Sequence, residues 1–173
     1  MKATLAVLND LVAHGSLGRY AIGGAMGAMF YVEPVATYDL DIFVVLPTTS
    51  VGLVTLTPLY DALRQRGYEP QAEHVVIEGV PVQFLPAYND LIEEALDQAR
   101  DVEVDGVPTR VLRIEHLICV AVQTNRPKDR ERVRLLTQEA EVAPDLLADI
   151  CARHGLPLPA LRKDDDPWIP PKP

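Results

Sequence analysis

A chain of 173 residues, 48% hydrophobic and 24% charged, can bury one sizeable core, so a single domain with a small helical appendage is expected. Its formal charge of -9 argues against sequence-independent binding of duplex DNA, which depends mostly on neutralising phosphates. The apolar run Leu117 to Val122 is far too short for a bilayer, and Asn9 and Asp10 fall where a secretion signal needs apolar residues. No membrane association and a cytoplasmic location are therefore expected.

Leu5, Leu8, Leu11 and Val12 recur at helical spacing and stop at Gly15, predicting an opening helix with a glycine terminator. Arg19 to Met29 then reads as a short strand entering a helix through Gly23-Gly24, where backbone amides attract phosphate. Next comes Thr37-Tyr38-Asp39-Leu40-Asp41-Ile42-Phe43-Val44-Val45, a strand carrying two aspartates that strands normally exclude. Alternation puts Tyr38, Leu40, Ile42 and Val44 on one apolar face and Asp39 with Asp41 on the other, a geometry that can hold a divalent metal. The bland alternative is that Asp39 belongs to a loop before the strand and Asp41 to a solvated edge.

Pro47-Thr48-Thr49-Ser50 breaks the chain, and Thr57-Pro58 opens a helix with Leu59, Ala62 and Leu63 inward and Gly67 at its end. His74 to Ile77 and Val80 to Leu85 form a hairpin about Glu78-Gly79, Asn89 caps a helix through Leu96, and Asp105-Gly106 turns between strands Val102 to Val104 and Thr109 to Leu112. From Ile114 the pattern is helical, broken at Pro127, Pro144 and Gly155. The fold class is α/β (α+β): a small mixed β-sheet flanked by helices, in residues 1–113, with a helical C-terminal section over 114–156 packed on it. Residues 157–173, with six prolines, Asp164-Asp165-Asp166 and the apolar pair Trp168-Ile169, read as a tail that cannot bury a core of its own.

Two strand carboxylates can clamp metal ions that align a hydroxyl, a phosphoryl group and a departing pyrophosphate, and Mg2+ suits hard oxygen ligands completed by substrate phosphates. The Gly-Gly turn lacks a P-loop lysine and the Gly-x-Gly-x-x-Gly of a dinucleotide site, and such a turn is more often a packing device. Arg126 to Arg134 holds five basic residues. They read either as a phosphate contact, with Lys128 the best candidate, or as a solvated helix with Asp129 and Glu131 pairing to Arg132 and Arg134. His14, His74, His116 and His154 show no ligand spacing and read as structural; Cys119 and Cys151 read as reduced and buried.

Together, Gly23-Gly24, Val35-x-Thr37-x-Asp39-x-Asp41 and Arg126-Pro127-Lys128-Asp129 resemble the nucleotidyltransferase fold of the polymerase-beta superfamily, nearest to its minimal bacterial and toxin-type members, over residues 19–136. The resemblance implies Mg2+-dependent transfer of a nucleoside monophosphate from a nucleoside triphosphate to a hydroxyl acceptor, which can be a small molecule, an RNA end or a protein. Asp39 and Asp41 would be the catalytic metal ligands, and Gly23, Gly24, Ala25, Thr37 and Lys128 would contact nucleotide. Three positions depart from the superfamily. Ala25 replaces a serine, Val35 an arginine, and Gln83 stands where a third carboxylate is usual; an amide cannot accept a proton as a general base. Glu78 is the nearest acidic substitute in sequence. The alternative is a catalytically degenerate member that binds nucleotide, RNA or a protein partner.

Overall fold

Leu5, Leu8 and Leu11 of helix α1 (Lys2–Ala13) are fully buried, whereas Val12, expected beside them, is 38% exposed in the last turn. Gly15 ends the helix in the left-handed region at φ +72, which lets the Ser16 amide reach the Leu11 carbonyl at 3.0 Å. Strand β1 (Tyr20–Ile22) then leads through Gly23 into the short helix α2 (Gly24–Ala28), and strand β2 (Leu40–Val44) returns beside β1. Helix α3 (Thr57–Gln65) and strands β3 (Pro70–Gln71), β4 (His74–Ile77) and β5 (Val80–Pro86) follow. Helix α4 (Asp90–Asp97), strands β6 (Arg100–Val104) and β7 (Val107–Val111), and helices α5 (Ile114–Thr124), α6 (Pro127–Glu139) and α7 (Pro144–Arg153) complete the described elements. This computed structural model describes residues 1–33, 37–46 and 55–161. Val35, the break at Pro47-Thr48-Thr49-Ser50, and Asp164-Asp165-Asp166 with Trp168 and Ile169 lie outside the described residues.

The strands form one mixed sheet in the order β3-β4-β5-β2-β1-β7-β6. β2 is parallel to β5 and antiparallel to β1, while β1 is parallel to β7. Alternation sorts the side chains into two cores. Leu40, Ile42 and Val44 face one, with Leu5, Leu8, Leu59, Leu63, Val82 and Phe84 beneath α1 and α3. Ala21 and Phe43 face the other, with apolar residues of α4 to α7 such as Ile92, Leu117, Ile118, Leu136 and Ile150. The helices after residue 114 thus share a core with the sheet.

Both two-residue hairpins form as expected, with Glu78-Gly79 and Asp105-Gly106 at positive φ. Pairing starts at Val104 with Val107, immediately beside the second turn, so β7 begins two residues earlier than expected, while β6 ends at Val104 as expected and starts earlier, at Arg100. Leu112, expected in the strand, has left the β6 ladder and gives its amide to the Ile22 carbonyl at 3.0 Å. Asn89 caps α4 through its side-chain oxygen, 3.0 Å from the Ile92 amide.

The aspartate strand differs from its expected form in one respect. β2 begins at Leu40, so Asp39 precedes it, and Tyr38, expected on the buried face, is 90% exposed. The cause lies in the neighbouring strands. Leu40 pairs with Val82, and the next position back on β5 is Pro81, which has no amide to donate. On the other side β1 has ended, with the Gly23 amide donating to the Asp41 carbonyl at 2.9 Å as the chain turns into α2.

Candidate functional site

Asp41 and Phe43 project from β2 toward the helices, and Gln83 and Leu85 project beside them from β5, because Asp41 pairs in register with Gln83 and Phe43 with Leu85. These four side chains, with Gly24, floor a cleft of about 150 Å³. Leu117, Val120, Ala121 and Thr124 of α5 form one wall; Arg126, Lys128, Asp129 and Arg132 at the start of α6 form the rim, with Tyr88 opposite.

Gly24 has φ +57, a conformation that side chains resist, and it lies directly against the Asp41 carboxylate. A Cβ built on Gly24 would fall 1.8 Å from Asp41 Oδ2, and one on Gly23 would fall 2.3 Å from the Phe43 ring. The diglycine therefore makes room: Gly23 for the core ring and Gly24 for the carboxylate. α2 itself is five residues long, so its dipole is slight.

Burial raises the Asp41 carboxyl above the usual carboxylate range, and the like charge of Asp39 adds to this, against the pull of Arg132, Lys128 and Arg126. Asp39 is held by the Thr37 hydroxyl, which donates to its Oδ1 at 3.0 Å, and its Oδ2 lies 3.7 Å from His74 Nε2. The structure thus brings Asp41, Gly24, Gln83 and Lys128 to one cleft, and Asp39, which does not line it, lies near enough to raise the Asp41 carboxyl. Gly23 and Ala25 flank it without lining the cleft, and Thr37 reaches it only through Asp39. Among the described residues no group of three or more histidines, cysteines, aspartates or glutamates could hold a metal ion.

The basic rim is organised by a carboxylate. Asp129 is fully buried and accepts from Thr124 Oγ1 at 2.8 Å, from the Arg126 amide and Nε at 3.2 and 2.6 Å, and from Arg132 at 3.0 Å. Burial pushes the Asp129 carboxyl upward, but these donors outweigh it and hold the group below its usual range. Further along α6, Arg134 pairs with Glu131 and Arg130 donates to Asn125, so that face carries the i,i+3 ion pairing of a solvated helix. Both i,i+3 pairs of the solvated-helix reading, Asp129 with Arg132 and Glu131 with Arg134, are thus formed.

Glu78 is not part of the site. It sits exposed in its hairpin turn and accepts from the Tyr68 hydroxyl. Glu73 and His74 are there instead: the Gln83 amide donates to Glu73 Oε2 at 3.5 Å, and His74 neighbours Asp39. A sequence signal for this existed, since a two-residue turn at Glu78-Gly79 sets Val75 opposite Val82 and so brings His74 level with Gln83. Arg126 and Arg132, which the sequence offers only as part of the basic stretch, line the cleft with Lys128 through the packing of α6 beside α5.

The model of the family described as "Nucleotidyl transferase of unknown function (DUF2204)" matches residues 1–150. No curated protein matches the chain. Among solved structures, it is similar to that of an antigenic nucleotidyltransferase-like protein from Paracoccidioides brasiliensis, at 14% identity and TM-score 0.55, covering 87% of this chain and 84% of that one. It is similar to the crystal structure of ANT(2'')-Ia in complex with adenylyl-2''-tobramycin, at 16% identity and TM-score 0.52, covering 86% and 95%. The solution structure of the same antibiotic-resistance factor gives 16% identity and TM-score 0.51, covering 89% and 91%. At these identities the likeness shows the fold, a nucleotidyltransferase fold. No helix among the described residues is long and apolar enough to cross a membrane.

Proposed function

Because this chain belongs to the nucleotidyl transferase family whose model it matches over residues 1–150, we propose that its cleft transfers a nucleoside monophosphate from a nucleoside triphosphate to a hydroxyl acceptor. The observation that carries this reading is the meeting of opposite charges in one small cleft. The Asp41 carboxylate stands on the sheet with Asp39 just ahead of its strand, and Arg126, Lys128 and Arg132 face Asp41 from α6. An acidic pair alone repels a triphosphate, and a basic rim alone binds any anion; together they suit a phosphate chain carrying a divalent cation.

The donors fit such a cation. Asp39 and Asp41 with the Gln83 carbonyl oxygen are hard oxygen ligands, few enough to leave places for phosphate oxygens and water, which is the arrangement Mg2+ prefers. Its presence would relieve the burial and like-charge repulsion that raise Asp41. When bound, Mg2+ supplies positive charge that offsets the charge on the phosphate oxygens. Gly24, by lacking a side chain, leaves the Asp41 carboxylate the room it occupies, Thr37 orients Asp39, and Lys128 with Arg126 and Arg132 holds the phosphates. Gly24 borders the same space, while the Gly23 amide is taken by the Asp41 carbonyl. The apolar wall of Leu117, Val120 and Ala121 keeps bulk water from that side.

The test is to incubate the protein with Mg2+ and α-labelled nucleoside triphosphates in the presence of candidate acceptors, namely an amino-sugar alcohol, an RNA end and a protein hydroxyl. Label should move to one acceptor with release of pyrophosphate, and should stay on nucleotide with Asp39→Asn. Labelling undiminished in Asp39→Asn would refute the assignment.

One observation favours a second reading, nucleotide binding without chemistry: the residue beside Asp41 is an amide rather than an acid. Saturable binding with no pyrophosphate released under any condition would select it.

A further inference from the structure

Resting on the proposed transfer reaction, the geometry points to Glu73 as the group that takes the proton from the attacking hydroxyl. That proton has to go somewhere, and the cleft offers few bases. Asp39 and Asp41 are committed to the cation. Asp129 is saturated by Thr124, Arg126 and Arg132. Glu78 is tied to Tyr68 on the far turn. Gln83, flanking Asp41, has no basic atom.

Glu73, which is exposed and does not itself line the cleft, reaches the cleft's edge from the next strand through the Gln83 amide. β4 lies beside β5, and their register, with Val75 opposite Val82, lines up Asp41, Gln83 and His74 across three adjacent strands. The turn that precedes His74 is two residues long, Ala72-Glu73, with Gln71 paired to His74. Ala72 takes the left-handed conformation at φ +54, which alanine resists, and this sharp reversal leaves the Glu73 carboxylate 3.5 Å from the Gln83 amide nitrogen. Among the described residues this amide is the partner that Glu73 has, so its carboxylate keeps free lone pairs. The glutamine aims the carboxylate, and the neighbouring strand supplies the base that the Gln83 position lacks.

The step balances without redox change. The acceptor oxygen bonds to the α-phosphorus as the bond from that phosphorus to the bridging oxygen breaks. The hydroxyl proton passes to Glu73 and then to solvent, and pyrophosphate leaves with the electron pair.

Water serves as the acceptor probe, so the test requires no knowledge of the natural one. The full chain is mixed with Mg2+ and the four α-labelled ribonucleoside triphosphates, and release of nucleoside monophosphate is followed. Glu73→Gln should lower kcat by about 100-fold or more, with KM for nucleotide changed less than about twofold. Adding Gln83→Asp to Glu73→Gln should restore most of the rate, which recovery of a merely structural role would not do. Glu73→Gln at the wild-type rate, a loss confined to KM, or no rescue by the second substitution overturns the assignment; so does a rate intact in Glu73→Gln yet lost in His74→Gln. Calorimetry separates the premise from the inference. A wild-type chain that binds none of the four nucleotides brings down the transfer reaction itself, and one that binds without turnover brings down the base while the nucleotide site stands.

Discussion

Replacing Gly24 by alanine tests whether the diglycine exists to seat Asp41. The new methyl would start 1.8 Å from Asp41 Oδ2, 2.7 Å from Cγ and 2.9 Å from Cβ, all inside the distance that real Cβ atoms keep. The whole carboxylate must therefore retreat by more than an ångström, and no rotation of one oxygen suffices. Misplacement of that size costs roughly 100-fold in rate when the group positions reactants. The φ of +57 adds about 1–2 kcal/mol of backbone strain, worth roughly 2–8 °C in Tm for a domain of this size. Gly67→Ala is the control, since Gly67 has φ +84 with nothing within 4 Å of an added Cβ. Thermal melts followed by circular dichroism, and calorimetric titration with Mg2+ and nucleotide, measure both quantities. Both variants should lose the stability due to backbone strain, Gly24→Ala losing more because of its clash with Asp41, and only Gly24→Ala should lose nucleotide affinity and turnover. Equal nucleotide affinity in the two variants would refute the reasoning, because it would reduce Gly24 to a turn residue.

Asp129→Asn leaves Arg126 and Arg132 without their shared carboxylate and should cost about 3 kcal/mol in urea denaturation, with weaker nucleotide binding; a change within error would mean the buried cluster contributes nothing net. Lys128→Ala removes an exposed cation from the cleft rim, and should weaken nucleotide binding by about tenfold in calorimetry while leaving Tm unchanged. Stability should fall as pH drops from 7 to 5 because of His116. Its Nε2 donates to Glu94 at 3.2 Å and its buried Nδ1 has no partner among the described residues, so protonation would strand an N–H in the core. Burial lowers the imidazole below its ordinary value despite the Glu94 charge. The unfolded chain therefore binds the proton first, and this contribution is fully present above about pH 6.5 and is lost below it, at up to about 1.4 kcal/mol per pH unit. Glu94, whose carboxyl is depressed mainly by Arg153, acts only at lower pH, so His116→Gln should flatten the slope between pH 7 and 5.

Most of the frame was legible where the signal is local. Gly15, Asn89, Glu78-Gly79, Asp105-Gly106, Pro127 and Pro144 each mark an end or a turn through their own backbone chemistry, and the structure places each so. Tyr38 and Asp39 fall outside the aspartate strand for a distant cause, Pro81 on the adjacent strand, which a local pattern does not carry. The cleft was half legible. Asp41, Gly24, Gln83 and Lys128 stand together as expected, but Arg126, Arg132 and Glu73 arrive through helix packing and strand order. Cys119 and Cys151 are buried as composition indicated; their sulfurs also lie 3.7 Å apart, a fact of how α7 packs on α5.

In the proposed reaction Asp41 holds a cation that in turn holds a nucleotide. Titrating each of the four ribonucleoside triphosphates into wild type and Asp41→Asn, with Mg2+ and with EDTA, tests this directly. Saturable binding to wild type that needs Mg2+ and vanishes in a folded Asp41→Asn is the predicted result. Binding that is indifferent to both the metal and the substitution would contradict it.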